Sequence, residues 1–292
     1  MSAPRLLAGI ALLAAAAIPA NAQERTFANS VGMEFILVDP GTMQVAVFKP
    51  DCPTPAQDTG LVGGWTEQDL DNCRAMIAAE RSDGFAVAIE QPYYLGRFEV
   101  TQAQWQAVMQ ANPSAFGSGT ADQSSHPVES ITWPQAQAFV AALNRLEGTT
   151  AYRLPSEFEW EYACRAGGPG QQSWDEIRRL AVDGGASLGF GYGLTPRDPN
   201  LPPPTTAAVG TRAANGWGFF DMLGNVWEWT ADGYNEQTFP EPQPPAQAGE
   251  HVLKGGGFVS DVKNAICATH AGGPGNGWDV GLRIAMATRG SD

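Results

Sequence analysis

Helical periodicity appears in only three short windows of this 292-residue chain, and each opens with the same N-terminal chemistry. Thr101 with Gln104, Thr132 with Gln135, and Ser156 with Glu159 are capping boxes, in which a hydroxyl accepts from the N3 amide and the N3 side chain reaches back to the cap. The first helix is expected to bury Trp105, Val108 and Met109 and to stop near Asn112 and Pro113, where proline disfavours further helix. The second carries Ala136, Phe139, Val140, Leu143 and Leu146 along one apolar face and ends by Gly148. The third turns Phe158, Tyr162 and either Trp160 or Ala163 inward and stops at Gly167 and Gly168. Helices this short leave most of the chain to strands and turns, and 34 glycines, 22 prolines and 9 tryptophans agree with that. The expected class is a loop-rich α+β domain.

The first 22 residues read as a signal peptide, with Arg5 in a short n-region, an apolar run from Leu6 to Ile18, and Ala20, Asn21 and Ala22 as the cleavage site. That run is shorter than the roughly 20 residues of a membrane-spanning helix. No cysteine stands at the cleavage point to take a lipid, so a periplasmic or secreted product beginning at Gln23, without membrane insertion, is expected. Losing Arg5 takes the net charge from -14 to -15, a balance that opposes nucleic acid and anionic lipid as partners. The remaining residues, 23 to 292, suit one large domain.

Cys52, Cys73, Cys164 and Cys267 make an even count, which in an exported protein favours disulfides. The segment from Phe48 to Glu90 holds Cys52, Cys73, three prolines and a helix-like stretch from Glu67 to Ala79, and reads as an insertion closed by its own bridge, Cys52 to Cys73. Pro196 to Thr206 and Phe239 to Ala248 read as irregular surface loops. His126, His251 and His270 are scattered, which gives little support to a metal site built on histidines.

A set of words along the chain carries a resemblance. These are Met33-Glu34-Phe35 with Val38 to Gly41, Tyr94 to Thr101, His126-Pro127-Val128 and Tyr152 to Arg165 (YRLPSEFEWEYACR). They continue with Asn215 to Asp232 (NGWGFFDMLGNVWEWTAD), Lys254 to Phe258, and Gly281-Leu282-Arg283. In these words the chain resembles the formylglycine-generating enzyme (sulfatase-modifying factor) family over nearly all of the mature sequence outside 48 to 90. The resemblance implies a C-type-lectin-like α+β core with little regular secondary structure.

It also implies a calcium site. Asp221 and Glu228 are carboxylates separated by a glycine turn, a set that suits a hard cation, although residue types alone favour a solvated or helix-capping acidic pair and it is the motif match that reverses this. The matching family ligands are Asp221, Gly224, Val226 and Glu228, with Gly224 and Val226 giving carbonyls. A second family calcium site would begin at Asn200-Leu201, but Pro202 to Thr206 replaces its acidic loop.

Catalysis in the family rests on two cysteines after a GGS(W/Y) segment that bind copper and activate oxygen. Aligned on Gly255-Gly256, the serine position here is Gly257, the first cysteine position is Ser260, and no cysteine lies from Asp261 to Ile266. Copper is therefore not expected, because a hydroxyl does not replace a soft thiolate. By the same resemblance Cys164 and Cys267 match a structural disulfide.

Near the implied groove, Ser260, Asp261, His270 and Trp227 invite a catalytic reading. A Ser-His-Asp hydrolase needs a base in reach and an oxyanion hole; local spacing argues for neither, and loop polars with a salt-bridging His270 account for the same residues. Trp160, Trp227 and Trp229 read as core aromatics, and Arg283 as the partner of an internal carboxylate. Three functions follow. One is a non-thiol oxidative tailoring or maturation factor, similar to periplasmic superfamily members that mature pyoverdine-type siderophores, with the glycine-rich, aromatic segment Gly272 to Trp278 near the implied groove in its favour. Another is a non-catalytic module binding a small molecule, peptide, glycan or protein. The last-ranked is a formylglycine generator with displaced cysteines.

Overall fold

The computed structural model describes residues 25–45, 84–117, 123–168, 174–181, 205–235, 249–258, 260, 266–273 and 277–288, with isolated positions 71 and 74. The signal peptide at 1 to 22, the Cys52 to Cys73 bridge, the Asn200-Leu201 step, Asp261 and most of the two proline-rich loops lie outside the described residues.

In chain order the strands are β1 (Thr26–Ala28), β2 (Glu34–Val38), β3 (Gly41–Val45), β4 (Phe85–Ile89), β5 (Tyr93–Gly96), β6 (Tyr152–Arg153), β7 (Trp227–Gly233), β8 (His251–Lys254), β9 (Ala271–Gly273), β10 (Val280–Leu282) and β11 (Ala285–Ala287). The helices are α1 (Gln102–Met109), α2 (Trp133–Glu147), α3 (Glu157–Cys164) and α4 (Trp174–Leu180). An antiparallel sheet runs β1-β2-β5-β11-β6; a second runs β10-β7-β8-β9, with β10 and β7 parallel; β3 pairs with β4. This is the loop-rich α+β architecture that the composition implied.

Alternation fixes which faces are buried. Met43 and Val45 on β3, and Val87 and Ile89 on β4, point inward while their neighbours face out. The segment read as an insertion from Phe48 to Glu90 therefore ends in a core strand. All four residues of β5 are buried, as befits a strand with neighbours on both sides.

Each helix begins at the expected capping box, with both reciprocal bonds formed. Their ends and faces differ in detail. Helix α1 stops at Met109 because Gln110 turns left-handed at φ 59, short of Pro113, and Val108 and Met109 are only half-buried. In α2 the face from Ala136 to Leu143 is buried, but Leu146, in the last turn, runs out into solvent at 54% exposure. Helix α3 is enclosed on every side, so Trp160 and Ala163 are both inside, as are Glu157 and Glu161.

Cys164 at the end of α3 is joined to Cys267 across 103 residues of sequence, as the resemblance implied. Closing a loop of that length removes unfolded-state entropy worth roughly 4 to 5 kcal/mol. On one side of the molecule Trp160, Phe219, Leu223 and the disulfide form a hydrophobic cluster; on the other, Trp105 stacks on Phe139 with ring centroids 4.8 Å apart, near Trp229.

Candidate functional site

The loop from Asp221 to Glu228 is shaped by a run of left-handed residues, Asp221 (φ 54), Gly224 (φ 80) and Asn225 (φ 60), of which only glycine adopts that conformation freely. What holds the other two is an inward hydrogen-bond net. Asn225 Nδ2 donates to Glu99 Oε2 at 2.6 Å, the Val226 amide donates to Glu99 Oε1 at 3.2 Å, and Gly224 N donates to the Gly255 carbonyl at 2.9 Å. The loop is thereby pinned to both Glu99 and the glycine segment.

Three buried carboxylates, Glu99, Asp221 and Glu228, share this region with one buried cation, Arg283. Glu228 accepts from Arg283 Nη2 at 2.7 Å, from Arg283 Nε at 3.0 Å and from Trp160 Nε1 at 2.5 Å. Arg283 is thus matched to its internal carboxylate. Asp221 Oδ2 accepts from the Gly210 amide at 2.6 Å, but Asp221 Oδ1, on a residue only 2% exposed, has no hydrogen-bond partner. Burial, opposed by the Gly210 amide and Arg283, raises the Asp221 carboxyl to about 6. Glu99 is pushed well above the usual carboxylate range by burial and by the charges of Asp221 and Glu228.

An orphaned buried oxygen amid uncompensated negative charge is what a bound cation would leave behind on its removal, so this residue set fits calcium. Among the described residues no three His, Cys, Asp or Glu side chains form a metal cluster, so a cation here would draw on backbone carbonyls.

A second buried ionic cluster lies beyond Trp160. Lys254, fully buried, donates to Glu161 at 2.9 Å, lies 3.7 Å from Glu157, and faces the Trp160 ring at 5.8 Å. Arg165 pairs with Glu161. His270 Nδ1 meets Glu157 Oε1 at 2.6 Å and Nε2 meets the Asn235 carbonyl at 2.5 Å. Burial would raise the Glu157 carboxyl, but the bond to His270 and the charge of Lys254 outweigh it and hold the group low.

The glycine segment lies where the family resemblance places the groove. Gly255 (φ 90) and Gly256 (φ 80) turn the chain after β8, and at Gly255 a side chain would press on the Met222 carbonyl and the Trp160 ring. Ser260 Oγ accepts from the Gly257 amide at 2.8 Å, closing a turn on itself. Of the sequence candidates, Ser260 and His270 are not brought together: the nitrogens of His270 are committed to Glu157 and Asn235. Trp227 is half-buried, packed against the Trp229 cluster rather than presented to a ligand.

Of the residues at this face the sequence offered only Trp278, at the end of the Gly272 to Trp278 segment; Phe116, Phe258 and Asp279 were not singled out. Phe116, Phe258 and Trp278 form an aromatic group with ring centroids 5.2 to 5.8 Å apart, and Trp278 is 48% exposed. Beside them the Asp279 carboxylate rests over Gly257, where a Cβ would come within 2.5 Å of Oδ2. The position of Trp278-Asp279 just before Gly281-Leu282-Arg283 was the available signal; the fold is needed to carry it 22 residues back to Gly257.

Comparison with known proteins agrees with this arrangement. Residues 29–288 match the Sulfatase-modifying factor enzyme 1-like domain. The chain is similar to the chaperone protein LppX of Paenibacillus barcinonensis, with 30% identity over 236 residues, 67% of this chain and 80% of that protein. It is also similar to the formylglycine-generating enzyme of Thermomonospora curvata, with 32% identity over 184 residues, 60% of this chain and 55% of that enzyme, so it spans about half of that relative's length. The solved structure of PvdO from Pseudomonas aeruginosa has the same fold, with a TM-score of 0.63 and 18% identity over 91% of this chain and 100% of that one. Among the described residues no helix is long and apolar enough to cross a membrane.

Proposed function

This chain belongs to the sulfatase-modifying factor enzyme 1-like family, and from that premise we propose that it is an exported maturation or tailoring factor working without a copper-binding thiolate pair. The observation that carries the reading is the segment from Gly255 to Ser260. Where the family resemblance asks for a serine and a first thiolate stand Gly257 and Ser260, and the Ser260 hydroxyl is occupied by the Gly257 amide. Asp261 to Ile266 holds no cysteine, and Cys164 and Cys267 are tied to each other. Among the described residues no thiolate pair is free to act as a soft ligand set for Cu(I).

The same reading gives the Asp221 loop one calcium, held by Asp221 and Glu228 with the carbonyls of Gly224 and Val226. Its contribution would be charge and rigidity beneath the groove. The chaperone name of the LppX relative and the fold shared with PvdO support a maturation role, and the signal-like residues 1 to 22 support export. A binding module is the second reading, favoured by the commitment of Ser260 and His270 to structural partners.

The test is a mass measurement. Purified, copper-loaded protein incubated with a sulfatase-type cysteine peptide should leave its mass unchanged; a loss of about 18 Da from the cysteine, thiol to aldehyde, would overturn the reading. Untargeted comparison of exported metabolites with and without the protein separates the other two. A product that disappears supports tailoring, and an unchanged profile supports the binding module.

A further inference from the structure

We propose that the face formed by Trp278, Phe116 and the Asp279 carboxylate over Gly257 binds a planar organic cation, an amidinium or guanidinium group.

The aromatic part is built rather than accidental. Phe116 sits on a 3-10 turn, Ala115–Gly117, whose Ala115 and Phe116 amides donate to Glu129 at 3.1 and 3.0 Å; Glu129 is fully buried and also accepts from Ser130 Oγ at 2.6 Å. Phe258 is fully buried, and its amide donates to the Asn225 carbonyl at 2.8 Å. Both Phe116 and Trp278 meet Phe258 edge-on, at 85° and 83°. Trp278 is therefore braced from behind while nearly half of it faces solvent, which leaves an aromatic surface open beside the acid.

The carboxylate part depends on a glycine. Because a Cβ at residue 257 would meet Asp279 Oδ2 at 2.5 Å and Asp279 Cβ at 3.0 Å, the acid occupies its place only while residue 257 lacks a side chain. At the position where the family resemblance calls for a serine, this chain has exchanged a hydroxyl for the room a carboxylate needs. Among the described residues no Lys, Arg or His pairs with Asp279, and burial together with the like charge of Glu129 raises the Asp279 carboxyl. Among the described residues this acid is short of a cation.

Charge and shape select the occupant. A planar cation stacks on an indole face through the ring quadrupole, and its N–H groups match a carboxylate in a fork, which a compact ammonium cannot do. The acidic chain, at -14, favours such a ligand over an anion. The inference rests on the groove assignment above and adds a ligand class to it.

Benzamidine and its neutral isostere benzamide test it on the full chain, with affinity followed by ligand-observed NMR titration. Benzamidine should bind at least tenfold tighter than benzamide. Asp279→Asn should erase that preference, and Trp278→Ala, at an exposed site, should weaken both ligands about fivefold. Gly257→Ser should also erase the preference by displacing the acid. Melting curves of each variant separate loss of binding from loss of fold, and Trp278→Ala serves if Asp279→Asn does not fold. Equal binding of the two ligands, or a preference that survives Asp279→Asn, would overturn the proposal. These readings need no turnover. Formylglycine formation with the cation preference intact would sink the functional reading alone, and loss of the preference without formylglycine would sink this one alone.

Discussion

Around Lys254 three carboxylates, Glu157, Glu161 and Asp232, meet three basic side chains, whereas around Arg283 three carboxylates share a single guanidinium. Both clusters are buried, and Trp160 touches both, donating its indole N–H to Glu228 and lending its ring to Lys254. The contrast is one of charge balance. Burying an ion costs several kcal/mol unless partners replace its water. Each cluster leaves one carboxylate oxygen without a hydrogen-bond partner, Glu157 Oε2 in the first and Asp221 Oδ1 in the second, but Glu157 has Lys254 and His270 beside it whereas Asp221 shares one guanidinium with two other acids.

The largest effect expected from this contrast is on removal of the single cation. Arg283→Met should cost roughly 3 to 5 kcal/mol in denaturant unfolding, the range for stranding a buried charge. Lys254→Met should cost less, because Glu161 keeps Arg165 and Glu157 keeps His270. Equal losses would erase the distinction between the clusters.

Next comes pH. Asp221 titrates at about 6 when folded against 3.8 when unfolded, so in chelator the folded state holds a proton that the unfolded chain has released between those values. Stability should fall as pH rises through that window, by up to about 3 kcal/mol from 1.36 kcal/mol per pK unit. Glu157, held low, gives the opposite slope: its contribution is present above its unfolded value and is lost as pH falls through its folded one. Melting curves of Asp221→Asn and Glu157→Gln across pH 4 to 6 sharpen the comparison. The first should flatten the alkaline-going loss, and an unaltered slope would remove Asp221 as its source.

Calcium follows in size. At a hundredfold excess over its Kd the ion should add about 2.7 kcal/mol and raise the melting temperature, an increment absent in Asp221→Asn. Because a cation binds the ionised carboxylate, calcium should also reverse the pH slope just described. A melt that ignores both calcium and chelator would leave the Arg283 cluster to balance its charge by protonation alone. The smallest effect belongs to the Lys254 cluster: His270→Gln, which keeps one polar contact, should cost about 1 to 2 kcal/mol in thermal or denaturant melts. A loss as large as that of Arg283→Met would show that cluster to be no better balanced.

Local chemistry was legible in the sequence, and distant pairing was not. The capping boxes at Thr101, Thr132 and Ser156 announce themselves within four residues, and each is present. Helix ends were less legible, since the left-handed turn at Gln110 depends on packing and not on Pro113. Arg283 was readable as the partner of a carboxylate, but Glu228 was read first as a metal ligand; both of its oxygens are already engaged by Arg283 and Trp160, so a cation would share rather than own that group. Lys254 and Glu161 stand 93 residues apart, and nothing in either neighbourhood names the other. Gly257 could be read as a lost serine. That it makes room for Asp279 is visible only once the fold brings the two together.

The place of β11 carries a consequence for how the sheet closes. Residues 285–287 lie between β5 and the edge strand β6, so among the described strands β6 joins the five-stranded sheet through them. Arg153 and Ala285, partners across that ladder, stand far apart in sequence, and without β11 the facing edges of β5 and β6 would be rows of unpaired backbone groups. A pairing between segments so distant must meet its loop-closure cost before it is rewarded, so β6 is expected to be the last strand to join the sheet.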